Sequence, residues 1–210
     1  MYLGILSGIA YAQWQGRRAG YRNWQVIDGA LWALLGGLIG ARAMYVLLNW
    51  VDYAGHAAAL LRFWGGGLVF QGGLLGGLVA LWLYSLYARL SFVRLADLAA
   101  PAVSLAQGIG WAGALLHGAN YGLIMRSPFS MWLLDLYGVY GPRFPTQLVA
   151  SLFGFLLFLF LHRLSGRAFL RLRIAELKQP GTLALLYLFG SGLGHLALEF
   201  TRADEASYVG

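Results

Sequence analysis

Six long apolar runs follow one another along the chain, and short polar or basic loops separate them. The hydrocarbon core of a bilayer is about 30 Å thick, so a spanning helix needs about 20 mostly apolar residues. The pattern therefore predicts an all-α bundle of about six transmembrane helices, of which the first is short for a span. The predicted helices are Met1–Gly16, Val26–Leu48, Leu68–Tyr87, Leu95–Leu116, Gln147–Leu161 and Thr182–Phe200.

The composition restricts the class of protein. Of the 210 residues, 60% are hydrophobic and 11% are charged, whereas a typical soluble domain is about 25% charged. With a mean hydropathy of +0.65, the chain is predicted to be a polytopic membrane protein that forms one domain over residues 1–210. It contains no cysteine, which excludes disulfides and catalysis by a thiol of its own.

The apolar Met1–Gln15 precedes Arg17 and Arg18, the reverse of the charge order of a signal peptide, so no cleavable signal is predicted.

The distribution of basic residues predicts the orientation of the helices. Lys and Arg concentrate in the loops after the first, third and fifth predicted helices, namely Arg17, Arg18, Arg22, Arg89, Arg94, Arg163, Arg167, Arg171, Arg173 and Lys178. The loops on the other side and the C-terminal tail carry Arg62, Arg126, Arg143 and Arg202. Because cytoplasmic loops are enriched in Lys and Arg, the first group is predicted to face the cytoplasm. The net charge of +7 then reflects topology, and no nucleic-acid partner is predicted.

Two segments between the predicted spans have a character of their own. His117–Thr146 is rich in proline and aromatic residues and is predicted to form an ordered interfacial cap on the outer side. Ala168–Leu177 is predicted to form an amphipathic helix that lies on the cytoplasmic surface.

A glycine-rich stretch, Trp64–Gly77 with the sequence WGGGLVFQGGLLGG, leads into the third predicted helix. Glycines spaced four residues apart let membrane helices pack closely, and Gly72 and Gly76 have this spacing. Non-helical backbone at membrane depth is tolerated where protein buries it or where it lines a cavity. The stretch is therefore predicted to form the floor of an outward-facing, Gly-lined cavity accessible to lipid, with Gln71, Gly72 and Gly73 as lipid-binding residues.

Arg42 is a charged residue inside the second apolar run, after Gly36, Gly37 and Gly40. An intramembrane charge is expensive and usually faces a cavity or a partner, which indicates a site for an anionic lipid headgroup. Alternatively, Arg42 snorkels to the outer interface, because Trp50 lies only two turns away. The sequence leaves both interpretations open.

Three polar residues near the end of the last predicted helix, His195, Glu199 and Arg202, are spaced to share one helix face. A His–Glu pair is suited to acid–base chemistry. Alternatively, Glu199 forms an ion pair with Arg202 or with Arg42, and the pattern favours this structural pairing.

Further polar residues lie near the ends of other predicted helices. His117 and Asn120 stand among glycines near the outer end of the fourth helix, where they either contact a ligand or belong to a glycine-packed interface. Arg143 lies in a predicted proline-rich turn that presents it at the outer surface, where it could bind lipid phosphate. Asp97 is predicted to cap the start of its own helix. No metal-ligand spacing, P-loop or nucleophile elbow occurs, so no metal and no cofactor is predicted.

Several of these segments together resemble the prolipoprotein diacylglyceryl transferase family, over about residues 4–204. The segments that carry the resemblance are GGLIGARAMYVLLNW, LRFWGGGLVFQGGLLGG, ADLAAP, PRFPTQL and LEFTR. Members of that family are bacterial inner-membrane enzymes that move diacylglycerol from phosphatidylglycerol onto the cysteine of a lipoprotein signal sequence. The resemblance implies a multi-pass protein of the bacterial inner membrane with a phosphatidylglycerol-like lipid as partner. The residues at matching motif positions are Arg42, Gln71, Asp97, Arg143, Gln147, Glu199 and Arg202.

The chain departs from the family pattern where the family signature has the form GRxGNFxNxExxG. In the matching window, Trp111 stands at the arginine, Ala114 and His117 at the asparagines, and Ala119 at the glutamate. His195 stands where the family has an arginine in the sixth span, and a seventh span would fall beyond residue 210. Guanidinium groups hold the leaving phosphate, and losing one well-placed donor typically lowers a rate about 10²–10³-fold.

These departures lead to the hypothesis of a catalytically impaired member of the family, kept as a lipid-binding or assembly subunit of a larger membrane complex. The alternative is an active transferase in which His195 with Glu199, or His117, generates the thiolate. In that alternative, Arg42 and Arg143 hold the headgroup. A transporter or flippase is disfavoured, because few charged residues are available to line a pathway.

Overall fold

The computed structural model describes residues 2–53, 67–125, 127–128, 130–134, 138–165 and 179–203. Most of the described chain is helical, in agreement with the predicted all-α class. The elements in chain order are α1 (Tyr2–Arg18), α2 (Asn23–Leu48), α3 (Trp50–Tyr53), α4 (Phe70–Tyr87), α5 (Phe92–His117), β1 (Met131–Leu134), β2 (Tyr140–Arg143), α6 (Thr146–Ser165) and α7 (Thr182–Glu199).

Five of these helices, α2, α4, α5, α6 and α7, are long and apolar enough to cross a membrane. Together with the 17-residue α1, they correspond to the six predicted segments. The helix α2 begins at Asn23, earlier than predicted, because the side chain of Gln25 accepts a hydrogen bond from the backbone N–H of Arg22 (2.9 Å). Gln25 thus provides an acceptor for one of the backbone N–H groups at the start of a helix that have no partner within the helix.

The predicted outer cap contains a small sheet that the sequence pattern did not indicate. The strands β1 and β2 pair antiparallel, with Met131 opposite Arg143 and Leu134 opposite Tyr140. Within the described ranges, β1 and β2 form the only β-sheet, and it has two strands.

The chain forms two compact units, and α1 and α5 each contribute residues to both. The first unit is Gln13–Ala96, and the second unit consists of Met1–Ala12 and Asp97–Gly210. The single-domain prediction for residues 1–210 stays a prediction.

In the first unit, the backbones of α2 and α4 approach each other at glycines. A Cβ atom added at Gly40 would lie 2.8 Å from the Cα of Gly76, and one added at Gly36 would lie 2.7 Å from the Gly76 carbonyl oxygen. A Cβ added at Gly72 would collide with the carbonyl oxygen of Gly40. The predicted small-residue packing of Gly72 and Gly76 is therefore confirmed, and its partner is α2.

In the second unit, glycines and serines connect α5 to α6. A Cβ at Gly154 would lie 2.9 Å from the Cα of Gly108. At this close approach, the hydroxyl of Ser104 donates to the carbonyl oxygen of Gly154 (3.0 Å) and that of Ser151 donates to the carbonyl oxygen of Gly108 (2.8 Å). Such small residues let helices pack closely in a membrane, where apolar burial between helices gains little.

Backbone hydrogen bonds assemble the outer cap of the second unit around the segment 121–125. The N–H of Leu123 donates to the carbonyl of Thr201 (3.0 Å), and the N–H of Phe144 donates to the carbonyl of Leu123 (3.0 Å). The segment therefore lies between the residues that follow α7 and the end of the hairpin. A Cβ at Gly122 would lie 2.6 Å from the Thr146 hydroxyl oxygen, so this strand-like segment requires glycine there.

Asp97 caps a helix, but not the one that was predicted. It lies inside α5, and its carboxylate accepts hydrogen bonds from the backbone N–H groups of Gly181 (2.6 Å) and Ala184 (2.9 Å) at the start of α7. The prediction of a cap for its own helix is wrong, because α5 already begins at Phe92. The N-cap residue of α7 is Gly181, which has no side chain of its own to accept these bonds.

We expect the substitution Asp97→Ala to lower the free energy of unfolding by about 2 kcal/mol, the upper range for loss of a helix cap. The exposed backbone donors at the start of α7 should also exchange their hydrogens faster. Amide hydrogen exchange of residues 181–185 and the thermal midpoint measure both effects, with Asp28→Ala in the first unit as the control. Equal loss of protection in both variants would contradict the assignment of the cap to Asp97.

Several predictions concern residues outside the described ranges. They are the amphipathic helix Ala168–Leu177, the basic loop residues Arg167, Arg171, Arg173 and Lys178, the loop residues Arg62 and Arg126, and the start of the glycine-rich stretch, Trp64–Gly66.

Candidate functional site

The side chain of Arg42 is buried in the first unit, with 5% of its surface exposed. Its Nη1 donates to the carbonyl oxygen of Gly67 (3.2 Å), and its Nη2 donates to the hydroxyl of Tyr53 (3.5 Å). The guanidinium carbon lies 5.6 Å from the ring centroid of Tyr45 and 5.4 Å from that of Tyr53. The guanidinium of Arg42 is therefore held inside the protein, and its role as a site for an anionic lipid headgroup stays a prediction.

A turn with left-handed backbone supplies the carbonyl that Arg42 contacts. Gly67 has φ +73°, and a Cβ there would lie 2.7 Å from a ring carbon of Tyr45 and 2.8 Å from the Nη1 of Arg42. Gly67 therefore has to be glycine for both conformational and steric reasons. The backbone stays irregular through Val69, whose N–H donates to the carbonyl of Ala41 (3.1 Å), and α4 begins at Phe70. The predicted non-helical entry to this helix is confirmed at Gly67, and the helix begins at Phe70, two residues later than the predicted start at Leu68.

The predicted lipid-binding residues of α4 lie in different surroundings. Gln71 is exposed, Gly72 is buried and Gly73 is partly buried. Gly72 packs against Gly40 and the Cβ of Met44. This helix packing alone requires glycine at position 72, whether or not a lipid binds. The lipid contacts of Gln71, Gly72 and Gly73 stay predictions.

A second polar cluster joins the C-terminal end of α7 to the outer cap of the second unit. The Nη1 of Arg202 lies 3.2 Å from the Oε2 of Glu199, and the Nη2 of Arg202 lies 3.3 Å from the Oδ1 of Asn120. The favoured pairing of Glu199 with Arg202 is therefore confirmed. The predicted shared helix face is wrong for Arg202, because α7 ends at Glu199 and Arg202 forms a β-bridge with Gly122.

The two candidate histidines lie at different places in the second unit. The ring of His195 contacts that of Trp111, with centroids 6.3 Å apart and planes inclined by 44°. His117 is the exposed last residue of α5. Trp111 and His195, two positions at which the resemblance implies an arginine, thus contact each other.

Arg143 is buried, with 4% of its surface exposed, and its guanidinium carbon lies 4.6 Å from the ring centroid of Tyr121. The prediction of a turn that presents Arg143 at the outer surface is wrong. Arg143 is the last residue of β2, and strand pairing directs it toward the protein. Nearby, Gln147 is also buried, and its Nε2 donates to the carbonyl of Ala119 (2.9 Å).

Three tyrosines that the sequence analysis did not single out surround the buried arginines. Tyr45 follows Arg42 by three residues in α2, a helical spacing that places both on one face and could have been noticed. Tyr53 and Tyr121 reach their arginines through turns whose geometry has no sequence signal. Within the described ranges, no group of three or more His, Cys, Asp or Glu residues could hold a metal ion.

The ion pair between Glu199 and Arg202 is partly exposed, with 51% and 21% of the respective side-chain surfaces accessible. Exposed pairs contribute about 0–1 kcal/mol, so we expect Glu199→Gln to change the free energy of unfolding by less than about 1 kcal/mol. Chemical denaturation in detergent measures this change, with Glu199→Ala for comparison. A much larger loss of stability in Glu199→Gln would contradict the geometry. A stable variant also lets any effect on activity be attributed to chemistry.

Comparisons with known proteins agree with the motifs of this chain. The family model described as "Prolipoprotein diacylglyceryl transferase" matches residues 1–210. A protein of Synechocystis sp. is 30% identical, over 96% of this chain and 72% of its own length. A protein of Nitratidesulfovibrio vulgaris is 37% identical, over 98% of this chain and 75% of its own length. Both relatives are named phosphatidylglycerol–prolipoprotein diacylglyceryl transferase.

The relatives are bacterial, and five helices of this chain can cross a membrane. The chain is therefore a multi-pass bacterial membrane protein. The family model extends over the entire sequence, residues 1–210. The chain belongs to the prolipoprotein diacylglyceryl transferase family.

Proposed function

We propose that the chain transfers the diacylglyceryl group of phosphatidylglycerol to the cysteine of a prolipoprotein. The observation that carries this proposal is the burial of two guanidinium groups, Arg42 and Arg143, in a membrane protein. A charge in such a place is energetically expensive and is typically found at a functional site. Both groups also pack against tyrosine rings, which hold the planar guanidinium in a fixed orientation.

The reaction makes a specific demand on these residues. The sulfur of the prolipoprotein cysteine forms a bond to the glycerol carbon of the diacylglyceryl group, and the carbon–oxygen bond to the phosphate breaks. Glycerol phosphate leaves with the bonding electrons, and the thiol proton passes to a base. A fixed guanidinium group stabilises the charge that develops on the leaving phosphate, and arginine suits this task because its planar fork matches phosphate oxygens.

The proton acceptor is proposed to be a histidine of the second unit. His195 lies one helical turn before Glu199, and His117 is exposed at the end of α5. A neutral imidazole can accept the proton of a thiol. The carboxylate of Glu199 is already paired with Arg202. The two histidines are therefore better candidates than Glu199 to accept the thiol proton.

A second candidate function is favoured by the contact between Trp111 and His195. In the family pattern an arginine stands at each of these positions. An indole cannot donate two hydrogen bonds to a phosphate. In this second proposal the chain binds phospholipid without turnover and acts as a lipid-binding or assembly subunit of a membrane complex.

An assay with the purified full-length chain in phosphatidylglycerol vesicles distinguishes the two proposals. The substrate is a peptide with a lipoprotein signal cysteine, and mass spectrometry detects the mass of one diacylglyceryl group. We expect the adduct on this peptide and none on the same peptide with serine in place of cysteine. The Nitratidesulfovibrio vulgaris relative serves as the comparison enzyme.

The alternative outcomes are equally informative. An adduct with the relative and none with this chain would overturn the transferase proposal. If phosphatidylglycerol then co-purifies with the chain, the lipid-binding proposal stands. A chain that gives no adduct and retains no phospholipid would contradict both.

A further inference from the structure

One face of the β1–β2 hairpin is apolar, aromatic and exposed. Successive side chains of a strand point to opposite faces, and directly paired residues share a face. The pairing of Trp132 with Pro142 and of Leu134 with Tyr140 therefore places these four residues together. Trp132 and Tyr140 each expose 61% of their surface, and their ring centroids lie 5.5 Å apart. We call these four residues the aromatic face.

The opposite face of the hairpin is attached to the protein. It carries Arg143, which is buried over Tyr121. Along its edge, β2 is also tied to the segment 121–125, because the backbone carbonyl of Pro142 accepts a hydrogen bond from the N–H of Met125 (3.0 Å). The aromatic face is thus held in a fixed orientation, away from the body of the second unit. The four residues of this face carry no charge that would have to be desolvated if something covered them.

The hairpin continues directly into a lipid-facing helix. Only Phe144 and Pro145 separate Arg143 from the start of α6, and Tyr140 lies six residues before that start, within about 20 Å along an extended chain. From its first turns, α6 exposes the apolar residues Leu148 and Leu152. A helix that can cross a membrane places these side chains against lipid, so the exposed apolar surface of α6 and the aromatic face belong to adjoining parts of one unit.

We propose that the aromatic face of the hairpin lies in the headgroup layer of the membrane and anchors the outer cap to the bilayer surface. Tryptophan and tyrosine concentrate at membrane–water interfaces because their rings are apolar at one end and polar at the other. The ring pair of Trp132 and Tyr140 has the composition of such an anchor. Because the aromatic face adjoins lipid-facing surface, the membrane is a better occupant of this face than a peptide or a second copy of the chain.

The absence of native cysteine permits a direct test in the full chain. The variant Leu134→Cys places a nitroxide spin label on the aromatic face at an exposed position, so packing is undisturbed. Leu152→Cys provides a lipid-facing reference on α6, and Arg89→Cys provides an exposed loop reference. Electron paramagnetic resonance in phosphatidylethanolamine–phosphatidylglycerol vesicles then compares collisions with oxygen, which partitions into lipid, and with a water-soluble nickel complex.

We expect the label at position 134 to collide with oxygen in preference to nickel, between the values at positions 152 and 89 and nearer to that at 152. Nickel accessibility equal to that at position 89 would mean that the face is in water and would overturn the proposal. Low accessibility to both reagents would mean that protein covers the face, which also overturns it. None of these outcomes depends on transferase activity.

Discussion

Replacement of Arg42 by glutamine is expected to lower diacylglyceryl transfer by about 100-fold, the typical effect of removing one fixed donor from a developing negative charge. The expectation follows from the geometry of the guanidinium, which contacts the Gly67 carbonyl and the Tyr53 hydroxyl and packs on two tyrosine rings. These contacts determine where the positive charge lies before any lipid arrives. Glutamine stays polar, but it is shorter than arginine, carries no charge and has no planar fork of five donors.

Lysine should not restore the activity of this site. An ammonium carries the same charge, but it cannot span two acceptors in one plane or stack on a ring as a guanidinium does. Rates of transfer for Arg42→Gln and Arg42→Lys, measured at saturating and limiting phosphatidylglycerol, would show whether the loss is in turnover or in lipid binding. Arg94→Gln is the matched control, because Arg94 is exposed. Full activity in Arg42→Gln would remove Arg42 from the proposed mechanism.

The second large effect is expected in the packing of α2 against α4. The substitution Gly72→Ala would push a methyl group into the Gly40 carbonyl and the Cβ of Met44. Backbone atoms cannot rotate away as a side chain would, so we expect a loss of about 2 kcal/mol, within the usual range for overpacking. For a chain of this size, that loss corresponds to a fall of about 4–8 °C in the thermal midpoint.

The neighbouring glycine provides the control for this experiment. A Cβ at Gly73 would lie 3.5 Å from the Cβ of Ala41, an ordinary van der Waals contact. Because alanine is the better helix former by about 1 kcal/mol, Gly73→Ala should be neutral or slightly stabilising. Thermal unfolding in detergent, followed by size-exclusion chromatography, compares both variants with the parent. Equal midpoints for the two variants would contradict the close approach at Gly72.

The helices were predictable because their signal is local. An apolar run about 20 residues long that has to satisfy its own backbone in lipid is helical almost regardless of its neighbours. The spacing of Gly72 and Gly76 likewise predicts close packing, although only the structure identifies α2 as the partner. The hairpin was not predictable in this way, because its two strands have four residues each and depend on contacts with distant segments.

The polar residues were harder to place, because their positions depend on tertiary contacts. Asp97 caps a helix whose N-cap residue, Gly181, lies 84 residues later in the chain, which no local rule detects. Whether Arg42 is buried or reaches the interface depends on the turn at Gly67, and helical spacing misplaced Arg202 because α7 ends three residues before it. Charge and residue type indicated candidates for the site, whereas the fold determined which of them contact one another.

The hydrogen bonds between segment 121–125 and residues 201–203 have a consequence for biogenesis. The partners of this pairing are about 80 residues apart, so the ribosome must have translated residues 201–203 before the pairing can form. Until then, the N–H of Leu123 and the side chain of Asn120 have to be satisfied by water or by the insertion machinery. The membrane helices can therefore insert one after another during synthesis, while the environment around Arg202 matures only after residues 201–203 have been translated.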